Sequence, residues 1–264
     1  MRLALVSDIH GNLPALRAVA AEIEVEHVDL VLNLGDIASG PLWPQETVQW
    51  LAERAWPTIA GNHERQALAA TPSHVSDDAF SAAELQAAER AWLAALPAAW
   101  ASADGEVVAF HGSPGDDVRG LLETVTADYR PGGDPGVRAA LPSEIELRLG
   151  SLRAPVMVCG HTHTPRAVRL ACGTLIVNPG SVGRPAYAHH QPHRHVVVCG
   201  SPHARWALLE RRRDGWHAAL RQTTYDWNLS AARAALLASE RALDWALDWA
   251  HELATGRTRP GVFD

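Results

Sequence analysis

The residues of this chain best suited to chemistry are carboxylates and imidazoles placed just after apolar runs. Leu3-Ala4-Leu5-Val6 leads into Ser7-Asp8-Ile9-His10. Leu30-Val31-Leu32-Asn33-Leu34 leads into Gly35-Asp36, and Ile59-Ala60 into Gly61-Asn62-His63-Glu64. Val107-Val108-Ala109-Phe110 ends at His111, and Val156-Met157-Val158-Cys159 ends at Gly160-His161-Thr162-His163. A single residue separates Asp8 from His10 and His161 from His163, so on an extended backbone each pair points to one side. Oxygen and nitrogen donors without thiolate suit manganese, iron, zinc, nickel or cobalt better than calcium. A catalytic zinc usually takes three protein donors plus water. This set is larger, which suits two ions sharing a bridging carboxylate.

The elements that must carry these groups follow from hydrophobic period. Leu13, Leu16, Ala20 and Ile23 fall at helical spacing after Asn12, which can cap that helix, with Pro14 in its first turn. Strand, helix, strand up to Leu34 is a parallel βαβ unit. A short helix is expected around Val48, Leu51 and Ala52, and a third strand near Pro57–Ala60. Ser81 and Glu84 read as a capping box for a helix bearing Leu85, Ala88, Trp92 and Leu96. Asp104-Gly105 signals a hairpin. The stretch from 130 to 142, rich in proline and glycine, reads as a loop or flap. Short strands are expected around Val168 and Ile176, from His195 to Cys199, and around Trp206–Glu210 and Trp216–Leu220. In open α/β sheets the ligand site lies beyond the carboxyl ends of the strands, where separate strand ends can bring all these donors into one cleft.

The last expected element is one helix from about Ser230 to Ala254. Its apolar arc is wide, with Leu236, Leu243, Leu247, Ala250 and Ala254 on one face and Trp245 and Trp249 well away from it. Such an arc implies contact on two sides. It fits either a groove of its own domain or a tryptophan-bearing dimer surface. Residues 1–225 are expected to form the catalytic unit and 226–264 a helical extension.

The chain has 264 residues and a formal net charge of −7. That balance argues against general nucleic-acid binding, which calls for a basic footprint, but not against a small phosphorylated substrate. Cys159, Cys172 and Cys199 fit no zinc-ribbon spacing and read as reduced, mostly buried thiols. Met1 and Arg2 run straight into the first strand and no apolar run is long enough to span a membrane. A cytoplasmic protein is therefore expected.

The order Asp8-Ile9-His10, Gly35-Asp36, Gly61-Asn62-His63-Glu64, His111 and Gly160-His161-Thr162-His163 resembles the calcineurin-like metallophosphoesterase superfamily. Ser7–Asn12, His111-Gly112-Ser113-Pro114 and Asn178-Pro179-Gly180-Ser181-Val182-Gly183 are similar to its small bacterial and archaeal phosphodiesterase branch. The resemblance covers residues 1 to about 200 and implies an α/β fold: a four-layer αββα sandwich of two mixed sheets flanked by helices, here with a C-terminal helix besides. It implies that Asp8, His10 and His163 hold one divalent ion, that Asn62, His111 and His161 hold the other, and that Asp36 bridges them. His63 resembles the histidine that faces the scissile phosphate without binding metal. Glu64 stands where that branch often has aspartate, with the expected task of orienting a histidine.

Two such ions clamp an in-line displacement at phosphorus, and the implied nucleophile is a hydroxide bridging them. His63 would protonate the leaving oxygen or stabilise phosphoryl charge. Gly11 and Asn12 are candidate backbone donors to phosphate. The superfamily's protein phosphatases and diadenosine tetraphosphatases place an arginine shortly after the bridging aspartate. Here Asp36 is followed by Ile37-Ala38-Ser39-Gly40-Pro41, which favours a diester over a terminal phosphate. Arg119 and Arg184 are candidate substitutes for that arginine. Trp43 and Tyr187 are candidate stacking residues, and His189, His190, His193 and His195 a candidate extra metal cluster. The expected activity is hydrolysis of a small or nucleotide phosphodiester with two divalent ions, manganese foremost. The alternatives are a phosphomonoesterase or protein phosphatase, a dinucleoside polyphosphate hydrolase, and a non-catalytic scaffold. A homodimer through the C-terminal helix is a further expectation.

Overall fold

The structure, a computed structural model, describes residues 1–263. The chain opens with strand, helix and strand and then runs through four helices: β1 (Arg2–Val6), α1 (Leu13–Val25), β2 (Leu30–Asn33), α2 (Pro44–Ala52), α3 (Asn62–Ala69), α4 (Asp77–Glu84) and α5 (Ala87–Ala94). Then come β3 (Ala99–Ala101), β4 (Val107–Phe110), β5 (Glu123–Val125), β6 (Val137–Ala139), α6 (Pro142–Leu149), β7 (Val156–Val158), β8 (Arg166–Arg169) and β9 (Leu175–Asn178). The chain ends with β10 (Ala186–His189), β11 (His195–Val198), β12 (Ala204–Arg212), β13 (Gly215–Thr223), α7 (Trp227–Arg241) and α8 (Asp244–Thr255).

Two mixed sheets form the middle. One has the order β13-β12-β1-β2, with β1 parallel to β2 and antiparallel to β12. The other has the order β3-β4-β7-β9-β8, with β7 parallel to both β4 and β9. Alternation along β1 shows how the layers are stacked. Leu3 and Leu5 join Leu32, Val107, Val156, Val158 and Leu209 in a core between the sheets. Ala4 and Val6 face the other way, onto Leu16, Val19 and Ile23 of α1 and Val48 and Leu51 of α2. Behind the second sheet, Met157 and Ile176 pack on Ile145 and Leu149 of α6. Helix, sheet, sheet, helix is the sandwich the motifs imply. Every inward position of β1 and β7 is fully buried, so the loops at their carboxyl ends hang from the most rigid part of the molecule.

Several local expectations need correction. Pro57–Ala60 forms only an isolated bridge, Asn33 to Thr58. Ser76, not Ser81, caps α4 through the Ala79 amide; the Ser81 hydroxyl lies inside the helix and donates to the Ala38 carbonyl at 2.8 Å. The 130–142 stretch contains β6, which pairs with β5, so it is not a free flap. The C-terminal helix is two helices. Ala242 closes α7 in the left-handed region at φ 52° and α8 starts at Asp244. No glycine or proline marks that break, so helical period runs through it unnoticed. Cys172 is exposed, whereas Cys159 is buried and Cys199 half-buried, and all three are free.

The C-terminal pair packs on its own chain. Leu237, Ala238, Leu243 and Ala246 close over Phe80 of α4, and Ala234, Trp249 and Leu253 over Leu42. Trp249 is 2% exposed, so it is not part of an open tryptophan surface. Among the described residues no helix is long and apolar enough to cross a membrane.

Candidate metal centre

The donors converge, but not by the pleat of a strand. β1 ends at Val6 and β7 at Val158, before the donors begin. Asp8, His10, Asp36, His161 and His163 all have positive φ, at 54°, 51°, 56°, 68° and 55°. Non-glycine residues rarely sit there, and each such residue costs on the order of 1 kcal/mol or more. Five in one place is strain concentrated at a site. Backbone bonds within each sheet's loops, and one between them, hold it. The Asp8 and His10 amides donate to the carbonyls of Gly35 and Asp36, and the Gly160 amide donates to that of His111. The Gly183 amide donates to Asp8, in a contact so close that a Cβ on Gly183 would collide with the Ile9 carbonyl. Asn62 and His63 do not end a strand; they open α3.

The centre has two halves. In the first, His163 Nε2 lies 3.1 Å from His10 Nε2 and 3.4 Å from Asp8 Oδ1. His10 Nδ1 is 3.2 Å from the Ser39 carbonyl and His163 Nδ1 is 2.8 Å from that of Arg184. In neutral rings whose Nδ1–H groups donate there, both Nε2 atoms carry lone pairs that face each other. That arrangement is repulsive until a cation lies between them. In the second half, His111 Nε2 is 3.0 Å from Asp36 Oδ2, near enough for charge to act but misaligned for a hydrogen bond. His111 Nδ1 lies 2.7 Å from the Leu34 carbonyl, and His161 Nδ1 lies 2.9 Å from Asn62 Oδ1. Asp8 Oδ2 and His111 Nε2 are buried without a hydrogen-bond partner, which buried polar atoms seldom are. Three groups have ligating atoms all within 4.8 Å of one another: Asp8–His10–His163 in the first half, Asp36–His111–His161 in the second, and His10–Asp36–His63 across the two. Clustered in this way, the residues fit a divalent metal.

Charge differs across the centre. Burial, then the neighbouring His163 and His63, hold His10 well below the usual imidazole range. Burial and His111 push His161 down to about 4. Burial opposes charge on Asp36, yet His111 and His63 hold it well below the carboxylate range. Against burial, the Asp36 carboxylate raises His111 to about 9. Burial likewise opposes protonation of His63, but Asp36 and then Asp78 raise it to about 10. Asp78 Oδ1 lies 2.7 Å from His63 Nδ1. Nothing in the sequence points to Asp78, which opens a helix with no fixed spacing to the histidine.

Glu64 has another task than the expected one. Its buried carboxylate accepts from the amides of Asp36 (2.8 Å), Ile37 (2.7 Å) and Gly61 (2.7 Å), and touches no histidine. It therefore holds the backbone turn that presents Asp36. Burial, then the Asp36 charge, raises its pKa.

The expected substrate donors divide. The Gly11 amide donates to Ile37 at 2.7 Å and the Asn12 amide to Ile9 at 3.0 Å. The Asn12 side chain, fully buried, bonds to the Gly183 carbonyl, Tyr225, Ser230 and the Ala15 amide. Both residues are thus committed to the scaffold, which corrects their assignment to phosphate. Arg119 is exposed. Arg184 stands beside the first half, but its Nε donates to Glu252 at 3.0 Å and its Nη1 lies 3.5 Å from Asp77. Tyr187 meets His163 edge-on at 4.8 Å. Trp43 is half-buried and packs against Leu42 and Trp249. His189 and His195 turn Nδ1 to carbonyls of their own loop, and no metal-holding group among the described residues includes the 189–195 histidines. Besides Asp78, sequence reasoning missed Asp77 and Glu252, which are ordinary surface types until the fold brings them to Arg184.

Comparison with known proteins agrees with this geometry. The structure resembles a metallophosphoesterase from Sphaerobacter thermophilus, with a TM-score of 0.71, 23% identity, and coverage of 97% of this chain and 100% of that one. A hypothetical protein from Pyrococcus horikoshii OT3 is similar in fold at a TM-score of 0.68 and 18% identity, covering 98% of this chain and 99% of that one. An uncharacterized protein of Methanocaldococcus jannaschii is 36% identical over 62 residues, which span 24% of this chain and 26% of that relative. Residues 1–201 match the model of the calcineurin-like phosphoesterase superfamily domain. That match takes in every donor from Asp8 to His163, and the chain belongs to the calcineurin-like phosphoesterase superfamily.

Proposed function

We propose that this protein is a metal-dependent phosphodiesterase acting on a small or nucleotide diester. The observation that supports the diester most is the state of Arg184. A terminal phosphate with several free oxygens calls for a fork-shaped cation. None follows Asp36, and the arginine beside the centre is already engaged by Glu252 and Asp77. A diester carries one charge and needs no such clamp.

In this reading Asp8, His10 and His163 hold one ion, Asn62, His111 and His161 hold the other, and Asp36 bridges. Two divalent ions, when bound, supply the charge that steadies phosphoryl oxygens and the acidity that makes water a nucleophile near neutral pH. The remaining work falls to the chain. Asp78 holds His63 by Nδ1, which leaves Nε2–H free to face the substrate. Its ring lies 5.2 Å from that of His10, beside the centre, where it can protonate the leaving oxygen. Glu64 and the strained turns keep Asp36 and the imidazoles in place, so that little reorganisation accompanies reaction.

The test is hydrolysis of bis(p-nitrophenyl) phosphate against p-nitrophenyl phosphate after metal stripping and reloading with Mn²⁺. Diester preference is expected. Preference for the monoester would overturn the reading and make Arg184 the phosphate clamp. Inactivity on both with metal bound would favour a scaffold.

A further inference from the structure

Both carbonyls that orient the first half of the centre rest on one helix outside the matched domain. His10 Nδ1 donates to Ser39, and the next residue, Gly40, lies against the edge of the Trp249 indole. A Cβ there would come within 2.8 Å of Trp249 Cζ3, and Gly40 itself has φ 127°. His163 Nδ1 donates to Arg184. The guanidinium carbon of that arginine lies 4.0 Å from the Trp249 ring centroid, over its face. Glu252, one helical turn on and 1% exposed, takes the Arg184 Nε–H at 3.0 Å. Trp249 also meets the His10 ring edge-on at 5.7 Å. Among the described residues the second half has no such support: His111 leans on Leu34, just after β2, and Asn62 on Gln66 within α3.

We propose that Trp249 and Glu252 are positioning residues for the Asp8–His10–His163 half alone. They fix the Ser39 and Arg184 carbonyls, and through these carbonyls the tautomer and aim of His10 and His163. Metal-bound histidines depend on such outer partners, whose loss typically costs 10–100-fold in affinity. The α8 helix, which lies beyond residues 1–201, therefore sets the affinity of one of the two ions. This rests on the two-ion reading given above.

The experiment is calorimetric Mn²⁺ titration of the full-length metal-stripped protein and three variants, Trp249→Ala, Trp249→Phe and Glu252→Gln. The wild type is expected to bind two ions. Trp249→Ala should weaken one of them by about tenfold and the other by less than about twofold. Trp249→Phe should restore most of the loss, since a benzene ring still offers Arg184 a face and Gly40 an edge. Glu252→Gln, which keeps an acceptor but drops the charge, should weaken the same ion by about threefold. Circular dichroism of the metal-free variants reports folding; should Trp249→Ala not fold, Glu252→Gln decides. Two ions weakened alike, or neither weakened, would overturn the proposal and leave the two-ion reading standing. A wild-type stoichiometry of one would overturn both.

Discussion

The two halves of the candidate metal centre share aspartate and histidine, with Asn62 added in one, and are held in different ways. The Asp8–His10–His163 half is neutral at His10, because burial outweighs the nearby carboxylate. Its histidines lean on carbonyls pinned by the C-terminal helix. In the Asp36–Asn62–His111–His161 half, Asp36 keeps a proton on His111 up to about pH 9. Every support of that half, Leu34, Gly61, Glu64 and Gln66, lies within residues 1–201. His10 is ready for a cation, whereas His111 must exchange a proton for it. A symmetric list of ligands conceals that difference, which lies in the partners behind them.

The strongest way to break the comparison is at Asp36, the residue proposed to bridge the halves. Asp36→Asn removes a charge from the centre while keeping its shape. It should lower metal affinity at both halves and turnover by more than about 100-fold, beyond what loss of an outer partner costs. Atomic emission on the dialysed variant, alongside diester turnover, checks this. Full metal content with full activity would mean that the halves do not meet at Asp36.

Next in size is His63, which lies beside both halves and is assigned to neither ion. His63→Ala should keep metal content and lose about 10²–10⁴-fold in turnover, the range of a positioned general acid. Asp78→Asn should lose less, about 10–100-fold, with the acidic limb of the pH–rate profile for kcat intact and the alkaline limb shifted down. His63 would then lose its proton at lower pH, because a carboxylate that raises its pKa has gone. Metal loss in His63→Ala would make His63 a ligand.

These residues also show what the sequence could convey. The candidate donors and their order were legible, because carboxylates, an amide and imidazoles placed just after apolar runs are residue types that suit a divalent ion. The layers were legible too, since Leu3, Leu5, Ala4 and Val6 alternate between two cores. The cause of convergence was not. Asp8 and His10 read as strand residues, whereas their left-handed backbone is imposed by the Gly35 and Asp36 carbonyls of a loop about 27 residues away. Asp78, Glu252 and Trp249 reach the centre only through tertiary packing, and no local period announces that. The break at Ala242 adopts φ 52° without the glycine that usually marks it.

The smallest expected effect concerns protons in the metal-free protein. His111 and His63 have folded-state pKa values raised to about 9 and about 10, above the 6.5 of a free imidazole. Each therefore contributes stability that is fully present below pH 6.5 and is lost as pH rises through 9 to 10. The melting temperature of metal-stripped protein should fall across that window, after allowance for other titrating groups by comparison with His111→Asn. Loading with Mn²⁺ near pH 7.5 should release protons, measurable as a buffer-dependent heat, and His111→Asn should release fewer. His10 is already neutral there, so it should contribute little to that release. A melting temperature that rose from pH 6.5 to 9 would show that His111 is not protonated in the folded state, and the proton asymmetry between the halves would go with it.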